Sequence, residues 1–208
     1  LDALARDAIR PVGLGNVNGR YFLFHTGVGF DAAIVAQVEK RSGLKRYAGH
    51  ALFIYAGIET TLAHYDRSQS HFSVHHADGS VVPDGYMTVV LNTNPYTYLG
   101  NRPFNLAPDA GFDRGLVVVT VRTMKVLPFL NIAASALAGG KRLRRSKHID
   151  YRTDVEAVEL VAHGAMPYQV DGDHLGEVDR LEFKHEPDAL RLVGVGGDVV
   201  GAPGGRGD

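Results

Sequence analysis

Turn signals interrupt this chain before any β-forming stretch has run long, and that punctuation is what most limits its fold. Asp-Gly pairs stand at Asp78-Gly79, Asp84-Gly85 and Asp171-Gly172, a dipeptide suited to the positive φ values of a two-residue type I′ turn. Around them lie alternating or β-branched runs: RYFLFHTGVG from Arg20, HFSVHH and SVV on either side of Ala77-Asp78-Gly79, YMTVVLNTN from Tyr86 and GLVVVTVR from Gly115, the last two separated by a segment rich in Pro, Asn and Gly, Pro95 to Arg114, that is expected to be a long loop. VEAVELVAH, PYQVDG, RLEFKH and ALRLVGV then read as several short closing strands. Helical signals are confined to a few places. One helix is capped by Asp31 and ends near Gly43, one runs from about Tyr47 to His64, and one from about Pro128 to Ala138 is closed by Gly139-Gly140. Without βαβ alternation, the pattern predicts a mainly β fold: an antiparallel two-sheet β-sandwich with about three inserted or flanking α-helices.

Leu1, Leu4, Ala5, Ala8 and Ile9 fall at helical spacing until Pro11 stops them. Residues 1–12 are therefore expected to be the end of a helix and a linker, residues 13–200 the sandwich, and GAPGGRGD at 201–208 a disordered tail. The first residue is Leu, and nothing near it has the basic-then-apolar layout of a signal peptide, so the chain is expected to begin within a longer protein. The 208 residues are 45% hydrophobic with a formal net charge of -1, enough for one substantial core and too little basic excess for a dedicated nucleic-acid binder. No cysteine is present, which excludes a disulfide framework and thiol chemistry and suits a reducing, cytoplasmic setting. The longest apolar stretch, from Val126 to Gly140, is shorter than the roughly 20 residues a helix needs to span a bilayer.

Asp171 sits in PYQVDGDHLGE, where Asp-Gly is first of all a hairpin turn. A second carboxylate two residues on, Asp173, would share a face with it if strand geometry held, as a general base or a metal requires. Asp109 and Asp113 precede a strand in a loop whose carboxylates and carbonyls suit a hard cation, although turns of this composition are common. The glycines of GVGFDA, Gly27 to Ala32, resemble a phosphate loop without its lysine, and close backbone packing is the simpler reading. The basic run Lys141 to His148 is a solvated turn or a contact for anionic lipid head groups.

RPVGLGNVNGRYFLFHTGVGFDA, LNTNPYTYLGNRPFNLAPDAGFDRGLVVVTV and YQVDGDHLGEVDRLEFKHEPDALRLV occur in that order over nearly the whole chain. Together they resemble the C-terminal domain of bacterial diacylglycerol-kinase and sphingosine-kinase-like lipid kinases, in the superfamily that includes NAD kinases. The resemblance implies a β-sandwich beside an N-terminal ATP-binding domain whose Gly-Gly-Asp-Gly-Thr motif is absent here. It further implies ATP and Mg2+ as cofactors, a diacylglycerol or long-chain base as the acceptor, and a place at the inner face of the membrane. Asp171 would be the base activating the lipid hydroxyl and Asp173 its acidic partner. Gly111, Asp113 and Leu116 match the magnesium loop, with Arg114 where the family's carboxylate falls and Gly13 where many relatives carry Asp. Alone, the chain is expected to be inactive, and exposed sandwich edges could pair two copies into a homo-oligomer. An NAD-kinase-like small-molecule kinase domain and a non-catalytic lipid-binding or regulatory module are the alternatives.

Overall fold

Neighbouring strands run antiparallel throughout. The computed structural model describes residues 9–40 and 65–193. In chain order the elements are β1 (Ile9–Val17), β2 (Arg20–Phe22), β3 (His25–Gly29), α1 (Phe30–Lys40), β4 (Phe72–His76), β5 (Val81–Gly85), β6 (Met87–Leu91), β7 (Thr97–Leu99), β8 (Arg102–Phe104), β9 (Leu116–Val121), α2 (Val126–Leu137), a 3-10 turn (Leu143–Arg145), β10 (Ile149–Val155), β11 (Ala157–Val170) and β12 (Asp173–Val193). Ten strands form one hydrogen-bonded network in the order β10-β9-β6-β3-β11-β12-β1-β2, with β4 on β11 and β5 on β4, while β7 and β8 form a separate ribbon.

That network is folded over on itself. Val90, Leu116 and Val118 share one buried cluster with Val17, Phe22, Phe72, Val74 and Phe183. In a flat sheet β9 and β2 would lie roughly 30 Å apart at the usual strand spacing, so the two ends must face each other as the leaves of a sandwich. The fold-over occurs at β11. Its residues 158 and 160 pair with β4, and its residues 168 to 170 pair with β3, along the same edge. Its other edge is taken by β12 along most of its length. The predicted mainly β sandwich is therefore present.

Alternate residues of β6 and β9 serve two cores. Leu116 and Val118 point between the leaves, whereas Val117, Val119 and Val121 pack outward with Ile132 and Ala136 of α2, and with Leu106, Leu143 and Ile149. This is why all of LVVVTV is buried despite its strand period of two. Phe30, at the start of α1, meets Phe129 of α2 edge to face at 5.6 Å.

Three expectations change. Ile9 to Val12, expected as helix end and linker, run antiparallel to β12, with Ile9 opposite Val193 and Val12 opposite Leu190. Over these residues β1 has a neighbour on one side only, since β2 begins pairing at Gly15, and an open edge tolerates Pro11. The closing short strands are two long ones. Gly164 and Pro167 in β11 and Gly176 in β12 coincide with irregular pairing rather than chain reversal. The segment 95–114, expected as a long loop, contains the β7–β8 ribbon. The helix expected from Tyr47 to His64, the helical spacing before Ile9 and the tail at 201–208 lie outside the described residues, among which there are two α-helices.

Between the leaves one polar contact replaces an apolar one: the Thr88 and Thr120 hydroxyls, fully buried on paired residues of β6 and β9, meet at 2.9 Å. Thr120→Val should lower the urea unfolding free energy by about 1–2 kcal/mol, because it strands the Thr88 hydroxyl, while Thr88→Val with Thr120→Val should fall within about 0.5 kcal/mol of the parent.

Candidate active site at the tip of the long hairpin

The β11–β12 reversal is the two-residue turn the sequence predicts. Asp171 (φ 49) and Gly172 (φ 94) both have positive φ, and Val170 pairs with Asp173 across the turn, as type I′ geometry requires. The tip lies over the link between β2 and β3. Asp171 Oδ2 accepts from Leu23 N at 2.8 Å, and Oδ1 accepts from Phe24 N and His25 N at 2.9 Å each. Asp171 N donates to the His25 carbonyl at 2.9 Å. Three successive amides thus cradle one carboxylate. A carboxylate offers about four lone-pair positions; with three filled, one stays open on Oδ2.

Behind the tip is a second carboxylate. Asp31 lies in the first turn of α1, where the helix dipole favours an anion, and it is 2% exposed. The Tyr96 hydroxyl donates to Oδ1, and Gln169 Nε2 donates to Oδ2 at 2.9 Å. Gln169 Oε1 in turn accepts from Gly172 N at 2.8 Å. A continuous chain, Tyr96 to Asp31 to Gln169 to Gly172, therefore fastens the turn to the start of α1. Burial first, then the Asp31 charge, pushes the Tyr96 phenol well above its ordinary value, keeping it a donor.

His25 completes the group. Its ring centroid is 4.7 Å from that of Tyr96, and burial lowers its pKa from 6.5 against the opposing pull of Asp31 and Asp171. The site therefore holds a cradled, outward-facing carboxylate, a buried carboxylate held by neutral donors, and a neutral imidazole. Such a set can accept a proton from a substrate hydroxyl at Asp171 and keep that acceptor fixed while it does so.

Asp173 faces elsewhere. It opens β12 with its side chain 73% exposed and pairs with Arg20 at 3.7 Å, and it shares no hydrogen-bond partner with Asp171. In the loop expected to hold magnesium, the Gly111 carbonyl accepts from Arg114 N at 3.3 Å, the Arg114 guanidinium lies 3.4 Å from Asp113 Oδ1, and the Leu116 side chain is fully buried in the core. The Arg114 guanidinium beside Asp113 competes with a divalent cation for that carboxylate. Among the described residues no group of three or more His, Asp or Glu is placed to hold a metal. Gly13 has its own neighbour: a Cβ there would lie 2.2 Å from His185 Nε2. The His185 ring occupies the space a side chain at residue 13 would need.

Sequence reading alone missed Asp31, Gln169, Tyr96 and His25 as members of the site. Asp31 looked like a helix cap, and only the pairing of β3 with β11 brings Gln169 to it. One signal was available in the GVG of residues 27–29. A Cβ on Gly27 would lie 1.5 Å from Asp31 Oδ2 and 2.7 Å from Gln169 Nε2, so the glycine marks a close approach, as the simpler reading of that motif held.

Solved structures with this fold include a diacylglycerol kinase from Bacillus anthracis str. Sterne, with a TM-score of 0.58 at 15% identity, covering 92% of this chain and 56% of that one. The class defined by the fold is thus a two-leaved antiparallel β-sandwich shared with those structures. More particularly, residues 25–194 match the YegS C-terminal NAD kinase beta sandwich-like domain, and the chain belongs to that family. Two curated proteins named "Probable lipid kinase YegS-like", from Pseudomonas aeruginosa strains PAO1 and UCBPP-PA14, are each 26% identical over 194 residues. The chain spans 58% of their length.

Gly27→Ala should destabilise the fold by about 2–3 kcal/mol in urea unfolding, since Asp31 and Gln169 cannot both stay in place. The His25 shift gives a second expectation. With its folded pKa below its unfolded value, the unfolded chain binds more protons in the window below about 6.5. The stabilisation is complete above that value and fades as pH falls through it toward the folded pKa. Urea midpoints measured between pH 7.5 and 5.5 should therefore decline, and His25→Gln should flatten the decline.

Proposed function

We propose that this chain is the acceptor side of a lipid kinase, presenting Asp171 to the hydroxyl of a diacylglycerol or a long-chain base. ATP and Mg2+ are held in this reading by a separate N-terminal lobe that closes over the hairpin tip. Asp171 takes the hydroxyl proton through its open lone-pair position as the lipid oxygen attacks the γ-phosphorus; the bond to the bridging oxygen breaks and ADP leaves. Asp173, anchored loosely by Arg20, contributes a second negative charge at the rim. The observation that carries the proposal is the cradle of three amides that fixes Asp171 while leaving one acceptor position free. Family membership and the names of the relatives supply the reaction class.

A non-catalytic lipid-binding module is the second reading, favoured by the Arg114 contact that occupies Asp113. The two separate on one experiment. The chain, expressed with the sequence its gene encodes upstream of Leu1, is assayed for transfer of the labelled γ-phosphate to diacylglycerol and to sphingosine in mixed micelles. Activity is expected with one acceptor, with none from the 208 residues alone. Asp171→Asn should lower the rate by about 10²–10⁴-fold, the usual contribution of a general base, with unfolding monitored alongside. Full activity in a folded Asp171→Asn variant removes the proposed base, and no transfer to either lipid favours the module.

A further inference from the structure

Charge in this chain is unevenly placed. The whole sequence carries 22 Lys and Arg against 23 Asp and Glu, yet from Arg114 to Ile149 there are eight basic residues and no acidic one. That segment contains α2, VLPFLNIAASAL, which has no charged residue on any face. One face of α2 is accounted for by Ile132 and Ala136, buried against β6 and β9. The opposite face presents Val126 at 59%, Leu127 at 74% and Leu130 at 57% exposure, with Leu137 at 38%. A helix apolar on both faces and covered on one has a second medium to enter.

Cations flank this helix along the chain. Lys125 precedes α2, and the turn after it exposes Lys141, Arg142, Arg145 and Lys147. Arg144 is committed to Asp109 and stacks over Tyr151, and buried Leu143 pins the turn. No ion pair engages the other five among the described residues. Between α2 and this turn lies a cleft of about 660 Å³, bordered by Leu127, Asn131, Ser135, Arg142 and His148.

We propose that α2 and the basic turn after it form a docking surface for an anionic lipid bilayer. Leu127 and Leu130 enter the acyl boundary, and the five unpaired cations meet head-group phosphates. The cleft between them takes a single anionic head group. A second copy of the chain is a poor occupant, because a two-fold contact over this face would bring the same cations together. The inference goes beyond the proposed function: vesicle binding neither needs nor reports phosphoryl transfer, so either can fail without the other.

Sedimentation with sucrose-loaded vesicles tests it on the 208-residue chain. Vesicles of phosphatidylcholine with 30% phosphatidylglycerol are expected to bind the chain, pure phosphatidylcholine vesicles to bind it far less, and 0.5 M NaCl to release it. Lys141→Ala/Arg142→Ala/Arg145→Ala should lower the partition coefficient on the order of 100-fold, about fivefold per cation. Leu127→Glu/Leu130→Glu should lower it by a similar factor, with circular dichroism and urea midpoints unchanged because both side chains are exposed. Single Arg145→Ala, expected to cost about fivefold, serves should a multiple variant fold poorly. The proposal is overturned if the parent ignores anionic vesicles, if it binds neutral ones equally, or if folded variants bind like the parent. A dimer of the parent that Leu127→Glu/Leu130→Glu abolishes would assign the face to a second copy and overturn it as well.

Discussion

One strand edge shared by two neighbours holds this molecule together. β11 gives its first half to β4 and its second half to β3 along a single edge, and the irregular stretch from Val161 to Met166 lies where one neighbour gives way to the other. The leaves diverge there, enclosing the cluster of Phe22, Phe72, Met166 and Phe183. A straight β11 would keep both partners in one plane and leave that cluster open to water, at a cost of about 1.5–3 kcal/mol for each large side chain exposed. The bend also aims the far end of the hairpin. Val170 and Asp173 lie beyond it, so the turn that carries Asp171 is directed by the core rather than by the turn itself.

Around that tip the electrostatics are those of an anion held by neutral donors. Asp171 is bound by backbone amides, and Asp31 by a phenol, a side-chain amide and the start of α1. Neither carboxylate is neutralised by a cation among the described residues, in contrast to Asp84 with Arg122 and Asp109 with Arg144. The distinction matters for chemistry. A carboxylate paired with a guanidinium has its charge and lone pairs already engaged by a cation, whereas Asp171, oriented by backbone dipoles, keeps one acceptor position open. The pairing of Asp113 with Arg114 falls on the other side of that line.

Much of this was legible in the residues. Asp171-Gly172 announces a type I′ turn because few other dipeptides accept two positive φ values, and the Ala77-Asp78-Gly79 hairpin between β4 and β5 was readable because its glycine takes the one positive φ that turn needs. The β-branched runs of β6 and β9 mark strands, and Gly139-Gly140 marks the end of α2. What could not be read is whatever depends on the partner. Gly164, Pro167 and Gly176 look like strand breaks locally, and only the register of β11 on β12 shows them to be irregularities within two long strands. Pro11 looks like a helix stop until β12 is known to lie beside it. The link between Asp31 and Gln169 joins residues 138 positions apart, and no local pattern encodes it beyond the glycine that makes room.

The α2 face proposed for lipid docking and the hairpin tip are built on the same supports. The Ala136 carbonyl, late in α2, accepts from Asn105 N at 3.0 Å, and Asn105 Oδ1 accepts from Asn94 Nδ2 at 2.7 Å. Two residues beyond Asn94 is Tyr96, which holds Asp31. Phe129 of α2 packs on Phe30, the residue before Asp31. Both routes end on the same carboxylate, one through hydrogen bonds and one through rings. A bilayer that fixes α2 therefore fixes the start of α1 with it, and through Gln169 the turn bearing Asp171. Nothing in this arrangement requires a second conformation. Its effect in the proposed docking is positional: the depth at which Leu127 and Leu130 would enter the lipid would set the height of the carboxylate above the membrane, and so how far the proposed acceptor hydroxyl would have to rise to meet it.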